Sequence, residues 1–220
     1  MTTLREGFVS EIDAVRADIL NMGQITIGAL QKSIIALDEL DREAAQKIID
    51  EDEIINQLEI DIEQNCVLLI ARQQPIAKDL RIVMTGLKIT TDLERIGDHA
   101  RDIAKTVFRI YPAREHVKPL VDIPQMARIA SAMVRESLEA YHDLDLEKAQ
   151  KVFQTDDEVD ALYNRVFDSL VELMQREPEK IENGTHLISV ARYLERIADH
   201  ATNIAEWVVY LETGQRVRAN

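Results

Sequence analysis

Hydrophobic residues recur along most of this chain at alternating steps of three and four positions, the spacing of one face of an α-helix. The clearest run lies between residues 82 and 110, where nine apolar or small residues keep this rhythm without a break. They are Ile82, Gly86, Ile89, Leu93, Ile96, Ala100, Ile103, Val107 and Ile110. The pattern predicts a long helix whose apolar stripe packs inside a helical bundle.

Two more helices are predicted before this one. The first spans about residues 5–38 and carries an apolar face of the same spacing. The second begins after Asp41, a residue type that favours helix N-termini. It ends at Pro75, because proline interrupts helix interiors. Residues 5–110 therefore form a unit of three consecutive helices.

The three-helix pattern then occurs a second time. Residues 145–162 match residues 41–58 at an offset of 104, and the stripe of the third helix returns at residues 187–211 at an offset of 101. The change in offset places a three-residue length difference in the turn between the second and third helices, where insertions cost least. We predict an all-α chain of six long helices in two tandem three-helix bundles, residues 1–112 and residues 113–220.

The amino-acid composition disfavours several classes of function. Of 220 residues, 40 are acidic and 26 are basic, a formal net charge of −14. This balance disfavours nucleic-acid binding, because phosphates require basic partners. The single cysteine, Cys66, excludes an internal disulfide and a cysteine-based zinc site. Without a signal-peptide pattern or an apolar run of membrane-spanning length, we expect a soluble cytoplasmic protein.

Two nearly identical segments carry the candidate chemistry. Residues 93–100 and residues 194–201 agree at seven of eight positions. Each segment places a Glu and an Asp four positions apart, which puts both carboxylates on one helix face. A third oxygen-bearing side chain follows one turn later in each copy. These residues are Glu94, Asp98 and Asp102 in the first unit, and Glu195, Asp199 and Asn203 in the second.

The second helix of each unit holds a matching polar pair, Asp52 and Asn56 in one and Asp156 and Asp160 in the other. In an antiparallel hairpin these pairs lie level with the Glu and Asp of the third helix, because both are equidistant from the turn. Oxygen ligands without a thiolate favour Mg²⁺, Mn²⁺, Ca²⁺ or iron. We predict a metal site on each hairpin. Its ligands are Asp52, Asn56, Glu94, Asp98 and Asp102 in the first unit, and Asp156, Asp160, Glu195, Asp199 and Asn203 in the second.

Two alternative interpretations stay open. The acidic residues lie away from the apolar stripe, so they could form the solvated surface of a metal-free structural helical module. A ferritin-like di-metal redox enzyme would need two Glu-x-x-His motifs directed into a bundle core. This sequence has one such motif, Glu139 and His142, and the repeat does not duplicate it. His99 and His200 follow the acidic residues directly, and we expect supporting or packing roles for both.

The sequence resembles the PhoU family over essentially its full length. The duplicated Leu-Glu-Arg-Ile-(Gly/Ala)-Asp, the upstream acidic pairs and the segment of residues 72–81 carry this resemblance. The resemblance implies two similar three-helix bundles with multinuclear metal clusters on their surfaces, of iron, manganese, magnesium or zinc. It also implies a non-enzymatic accessory protein of bacterial phosphate transport, which represses the phosphate-starvation response and restrains phosphate uptake.

The resemblance further implies two protein partners and a place in the cell. Such proteins act as adaptors between the ATP-binding subunit of the phosphate ABC transporter and the sensor histidine kinase of the phosphate two-component system. We expect a homodimer that lies in the cytoplasm beside these membrane complexes. The chain departs from the family pattern at Asn56 and Asn203, where amides replace carboxylates and lower the negative charge of each predicted cluster.

Overall fold

The computed structural model describes residues 2–110 and 122–218. Within this part of the chain, six long helices and one 3₁₀ turn account for all regular structure. They are α1 (Thr2–Glu39), α2 (Arg42–Gln73), α3 (Ala77–Ile110), α4 (Asp122–Asp143), α5 (Leu146–Arg176), the 3₁₀ turn Pro178–Lys180 and α6 (Ile181–Thr213). The predicted all-α architecture is confirmed. The predicted boundary between residues 112 and 113 lies outside the described residues.

The six helices pack as two bundles that share one long interface. Helices α1, α2 and α3 contact one another, and so do α4, α5 and α6. The bundles meet mainly along α3 and α6, with a second contact between α1 and α4. Because α3 has neighbours on three sides, it buries more than its predicted stripe. Thr90 and Thr106 are buried with it, and their hydroxyls donate to carbonyl groups of their own helix at 2.9 and 3.0 Å.

The entry into the second helix has the same construction in both bundles. Asp41 caps α2 and Asp145 caps α5, each accepting hydrogen bonds from two backbone amides of the first turn. The residue before each cap, Leu40 or Leu144, takes the left-handed conformation with φ of 52° or 55°. These positions are related by the offset of 104 residues, so the duplication extends to backbone geometry.

The turn between the second and third helices is built differently in the two bundles, with three residues between α2 and α3 and four between α5 and α6. In the first bundle, Gln74 ends α2 in the left-handed conformation, and its amide donates to Ile70. Pro75 and the next residue then complete a three-residue connection to α3. In the second bundle, Glu177 ends α5 and the chain passes directly into the 3₁₀ turn. Both turns bring the following helix back antiparallel to the one before it.

Helix α1 also ties the two bundles together. It is 38 residues long, whereas α4 has 22. The Arg16 guanidinium donates to the carbonyl oxygens of Tyr141 and His142 at 3.1 and 3.2 Å. These carbonyl groups belong to the last turn of α4, where no amide of the same helix is available to donate a hydrogen bond to them. Among the helices that the structure describes, none is long and apolar enough to cross a membrane.

Candidate functional site

The first acidic cluster lies on the hairpin of α2 and α3, where the sequence predicts it. Asp52 of α2 and Asp98 of α3 face the same arginine, Arg101. One guanidinium nitrogen, Nη1, lies 2.6 Å from Asp52 Oδ2 and 2.7 Å from Asp98 Oδ1. Asp52 is only 6% exposed, so its carboxylate is removed from water as well as paired with Arg101. Level placement of the two helices therefore brings the predicted carboxylates together, with a cation between them.

The rim of the first cluster holds further ion pairs. Arg95 lies 3.4 Å from Glu94 and 3.1 Å from Asp98, and Lys105 lies 3.0 Å from Asp102. Burial raises the pKa of Glu94 above its ordinary value, and the neighbouring Asp98 raises it further. These carboxylates are thus partly buried against α2, in contrast to a freely solvated helix face.

Asn56 is the amide that replaces a carboxylate in this cluster. It lies on α2 one turn beyond Asp52, and its Oδ1 is buried without a hydrogen-bond partner. A buried carbonyl-type oxygen costs free energy unless a donor or a cation satisfies it. Asn56 therefore offers the first cluster a buried oxygen that is not used in a hydrogen bond.

Glu59 belongs to the first cluster although the sequence analysis did not select it. Burial, together with the charges of the nearby Glu94 and Glu63, raises its pKa to about 7. Asp52, Asn56 and Glu59 follow one another at steps of four and three, so extending the polar stripe by one turn finds this residue. The second bundle has Tyr163 at the equivalent position, which explains why the repeat comparison does not reveal it.

The second acidic cluster occupies the equivalent hairpin of α5 and α6. Burial, together with the charges of Asp199 and Asp160, raises the pKa of Asp156 to about 6. Desolvation by the surrounding protein also raises the pKa values of Glu195 and of the surface residue Asp199, and repulsion between the carboxylates adds to both. The charges of Arg192 and Arg196 offset part of this effect at Glu195, and Arg196 does so at Asp199. Across the described ranges, no lysine or arginine forms an ion pair with any of these four carboxylates, so no cation lies between them.

Two of the predicted ligands have other partners. Asp102 lies at the rim of the first cluster, 3.0 Å from Lys105 and 3.7 Å from Nε of Arg101. Asn203 donates its amide nitrogen to Asp92 Oδ1 at 3.2 Å, across the interface between the bundles. His200 Nδ1 lies 2.9 Å from the same oxygen of Asp92. The structure thus places Asn203 in an inter-bundle hydrogen-bond network, whereas its repeat partner belongs to an ion pair.

The two histidines of the repeated segments face each other at the α3–α6 interface. The ring centroids of His99 and His200 are 5.8 Å apart, and His99 also stacks on Tyr193 at 5.6 Å. Burial lowers the pKa of His99 to about 4, so its ring is neutral at pH 7. Tyr193 and Asp92 occupy equivalent positions of the two repeats. The same helices therefore direct carboxylates toward their own hairpins and imidazoles toward the other bundle.

The oxygen atoms that both clusters offer are of the kind that binds a hard divalent cation. Carboxylate and amide oxygens are the ligands that Mg²⁺, Mn²⁺ and Ca²⁺ prefer. As the described side chains stand, no three His, Cys, Asp or Glu groups converge closely enough to hold a metal ion. Metal ligation by the ten predicted residues stays a prediction.

The Glu-x-x-His motif of the alternative redox enzyme lies on the surface of α4. Glu139 pairs with Lys148 at 3.3 Å, and its side chain is 50% exposed. His142 lines an open cleft of about 580 Å³ between α1 and α4. Neither side chain points into a bundle core, which is where a carboxylate-bridged di-metal centre would place them.

Comparison with known proteins finds one family. The model of the PhoU domain matches residues 19–107 and again residues 123–208, so each match falls on one bundle. A relative from Clostridium acetobutylicum is 39% identical over 98% of this chain and 99% of its own length. Another from Streptococcus pneumoniae is 34% identical over 99% of this chain and all of its own length. Both are named phosphate-specific transport system accessory protein PhoU homolog.

Solved structures give the same result for the fold. The crystal structure of PhoU from Pseudomonas aeruginosa superposes with a TM-score of 0.91, at 36% identity over 94% of this chain and all of that one. A phosphate transport system regulatory protein PhoU from Streptococcus pneumoniae superposes with a TM-score of 0.89, at 34% identity over 96% and 99% of the two chains. The two bundles and their interface are therefore shared with these proteins at the level of the whole fold.

Proposed function

Because the chain belongs to the PhoU family, we propose that it is an accessory protein of a phosphate-specific transport system that represses the phosphate-starvation response when phosphate is plentiful. The observation that carries this proposal is the match of the family model to both bundles, together with near full-length relatives that bear this name. The relatives are named as accessory or regulatory proteins, and we propose that this chain likewise acts without catalysing a reaction.

We propose that the regulation is exerted by contact with two partners. The chain would act as an adaptor between the ATP-binding subunit of the phosphate ABC transporter and the sensor histidine kinase of the phosphate two-component system. A homodimer in the cytoplasm beside the membrane would restrain uptake through the transporter and hold the kinase in its repressing state. The rigid helical frame supports this role, because it presents wide, pre-formed helix faces to partners.

We also propose that each hairpin binds metal ions through its carboxylate cluster. In the first bundle the ligands would be Asp52, Asn56, Glu94 and Asp98, and in the second Asp156, Asp160, Glu195 and Asp199. A bound cation would cross-link α2 to α3 and α5 to α6, and would offset the repulsion between buried carboxylates. The raised pKa values of Asp156, Glu195 and Asp199 support the proposal, because such groups gain most from a nearby cation.

The regulatory role is tested in a bacterial strain that lacks its own copy of the protein. The strain carries a reporter driven by a phosphate-starvation promoter, and the chain is supplied on a plasmid in phosphate-rich medium. We expect the wild-type chain to silence the reporter. A reporter that stays active despite normal protein levels would contradict the proposal. Co-purification of the chain with the ATP-binding subunit and with the kinase then tests each contact separately.

Metal binding is tested by elemental analysis of protein purified without added metal. The comparison is a quadruple variant that combines Glu94→Ala, Asp98→Ala, Glu195→Ala and Asp199→Ala. We expect bound metal in the wild type that is absent from the variant. Absence of metal from the wild type, also after incubation with Mn²⁺, Fe²⁺ or Zn²⁺, would refute the metal sites. The regulatory proposal would then stand or fall on the reporter alone.

A further inference from the structure

The two acidic clusters differ most at one position of the repeat, residue 101 in the first bundle and residue 202 in the second. In the first bundle Arg101 lies between two carboxylates: its Nη1 donates to Asp52 at 2.6 Å and forms an ion pair with Asp98 at 2.7 Å. Charge-assisted contacts this short belong to the stronger class of hydrogen bonds. In the second bundle the equivalent residue is Thr202, a short neutral side chain that cannot compensate any charge.

We propose that Arg101 is a built-in cation that excludes metal from the first cluster, so that the two clusters bind divalent cations with unequal affinity. The second cluster is the tight site, and the first is a weak site that fills only when the guanidinium moves away. This inference rests on the metal sites proposed above and states the order in which they fill.

Several contacts hold Arg101 in the first cluster. Asp52 is 6% exposed, and among the described residues its ion pair is with Arg101, so its carboxylate would be left desolvated without that partner if the guanidinium moved away. Arg95 and Lys105 stand at the rim, at 3.1 Å from Asp98 and 3.0 Å from Asp102. A divalent ion that enters must displace one cation and approach two more. Each of these terms lowers the affinity of the first cluster.

The second cluster also has arginines near its rim, Arg192 and Arg196, but among the described residues no guanidinium lies between its carboxylates. Thr202 is 6% exposed. Its hydroxyl lies near Asp156 and lowers the pKa of that carboxyl, but the two groups do not form a hydrogen bond of normal geometry. This buried oxygen is thus available beside the carboxylates. Asp160 and Asp199 are exposed and can rotate toward a cation without disturbing the core.

The order of filling is measured with Mn²⁺ as the probe. The full-length chain is stripped with a chelator and titrated, with free Mn²⁺ followed by its electron paramagnetic resonance signal and heat followed by calorimetry. We expect two phases in the wild type. Glu195→Gln combined with Asp199→Asn should remove the tight phase. Glu94→Gln combined with Asp98→Asn should leave the tight phase in place.

A reciprocal exchange between the repeats then tests the arginine itself. Arg101→Thr copies the second cluster into the first, and we expect the weak phase to tighten by about 10- to 100-fold. Thr202→Arg makes the opposite exchange and should weaken the tight phase by a similar factor. Arg165→Thr removes an equal charge from the exposed surface of α5 and should change neither phase. Circular dichroism melting verifies that each variant is folded before its affinity is compared.

The possible results separate this inference from the one it rests on. Two equal phases in the wild type, loss of the tight phase in the variant of Glu94 and Asp98, or an unchanged weak phase in folded Arg101→Thr would overturn the unequal sites and leave metal binding intact. No bound Mn²⁺ in any protein would overturn the metal sites, and this inference with them. If Thr202→Arg does not fold, the wild-type titration, the variant of Glu94 and Asp98, and Arg101→Thr still decide the outcome.

Discussion

Asp156 is a half-buried carboxylate among other carboxylates, and its titration follows from that position. Burial and the charges of Asp199 and Asp160 raise its pKa from 3.8 to about 6. Between these two values the folded chain holds a proton that the unfolded chain has released. The resulting contribution to stability is complete below pH 3.8 and is lost as the pH rises through 6. At neutral pH the metal-free chain therefore carries an unfavourable charge at this residue.

Asp156→Asn should consequently stabilise the chain in the presence of a chelator. We expect the free energy of unfolding to rise by about 1 kcal/mol at pH 8, after allowance for screening by solvent, and to be nearly unchanged at pH 3.5. Urea denaturation at the two pH values measures the difference. Asp157→Asn changes the exposed neighbouring acid and serves as the matched control. An equal gain for both variants, or a gain at pH 3.5 alone, would contradict the explanation.

Residue spacing predicted the members of the clusters better than their partners. The four-residue steps and the symmetry of the hairpin were sufficient to place Asp52 level with Asp98. They could not show that Arg101 reaches between the two, because an arginine side chain is long and flexible and its direction depends on the packing of α2 against α3. The cross-bundle contact of Asn203 with Asp92 was beyond reach for a similar reason, since no periodicity specifies which face meets a second bundle.

At the level of helices, the repeat contains a compensating difference in size. Gly97 on α3 packs against Ile55 on α2, and a Cβ atom at residue 97 would lie 3.0 Å from the Ile55 Cδ1 atom. The second bundle has Ala198 and Val159 at the equivalent positions. The larger residue on one helix is thus matched by the smaller one on its neighbour in each copy. Tight packing of this kind makes the two positions energetically dependent on each other.

A double-mutant cycle measures this dependence. Gly97→Ala gains helix propensity but crowds Ile55, and Ile55→Val alone costs about 1 kcal/mol through a lost methyl group. We expect the combined variant to be more stable than the sum of the single changes by about 1 kcal/mol, because the valine makes room for the alanine. Chemical denaturation of the four proteins gives the coupling free energy.

Gly28 on α1 provides the control for helix propensity. A Cβ atom there would meet nothing within 4 Å, so Gly28→Ala should stabilise the chain by up to about 1 kcal/mol without any coupling to Ile55→Val. Strictly additive effects at residues 97 and 55 would show that α2 and α3 can separate slightly at no cost. The packing explanation for the paired substitutions in the repeat would then be wrong.

For the molecule as a whole, the two bundles were predictable but their association was not. The stripe of α3 accounts for a single buried face, whereas the structure also buries Thr90 and Thr106 on either side of that stripe. Threonine is ambiguous in a sequence pattern, because its hydroxyl can bond to its own helix and then be buried. The sequence pattern therefore gave little indication of the α3–α6 interface, although this interface determines how the two acidic clusters are placed relative to each other.

Asp92 should contribute strongly to holding the bundles together. It accepts hydrogen bonds from Asn203 at 3.2 Å and pairs with His200 at 2.9 Å across the interface. Asp92→Ala leaves both partners unsatisfied in a half-buried position, and we expect a loss of about 2 kcal/mol in unfolding free energy. Because the loss falls on the contact between bundles, scanning calorimetry should show the single wild-type transition broaden or separate into two. Asp168→Ala, an exposed acid on α5, should change stability by less than about 0.5 kcal/mol and leave the transition single. An Asp92 variant that melts like this control would mean that apolar packing alone joins the bundles.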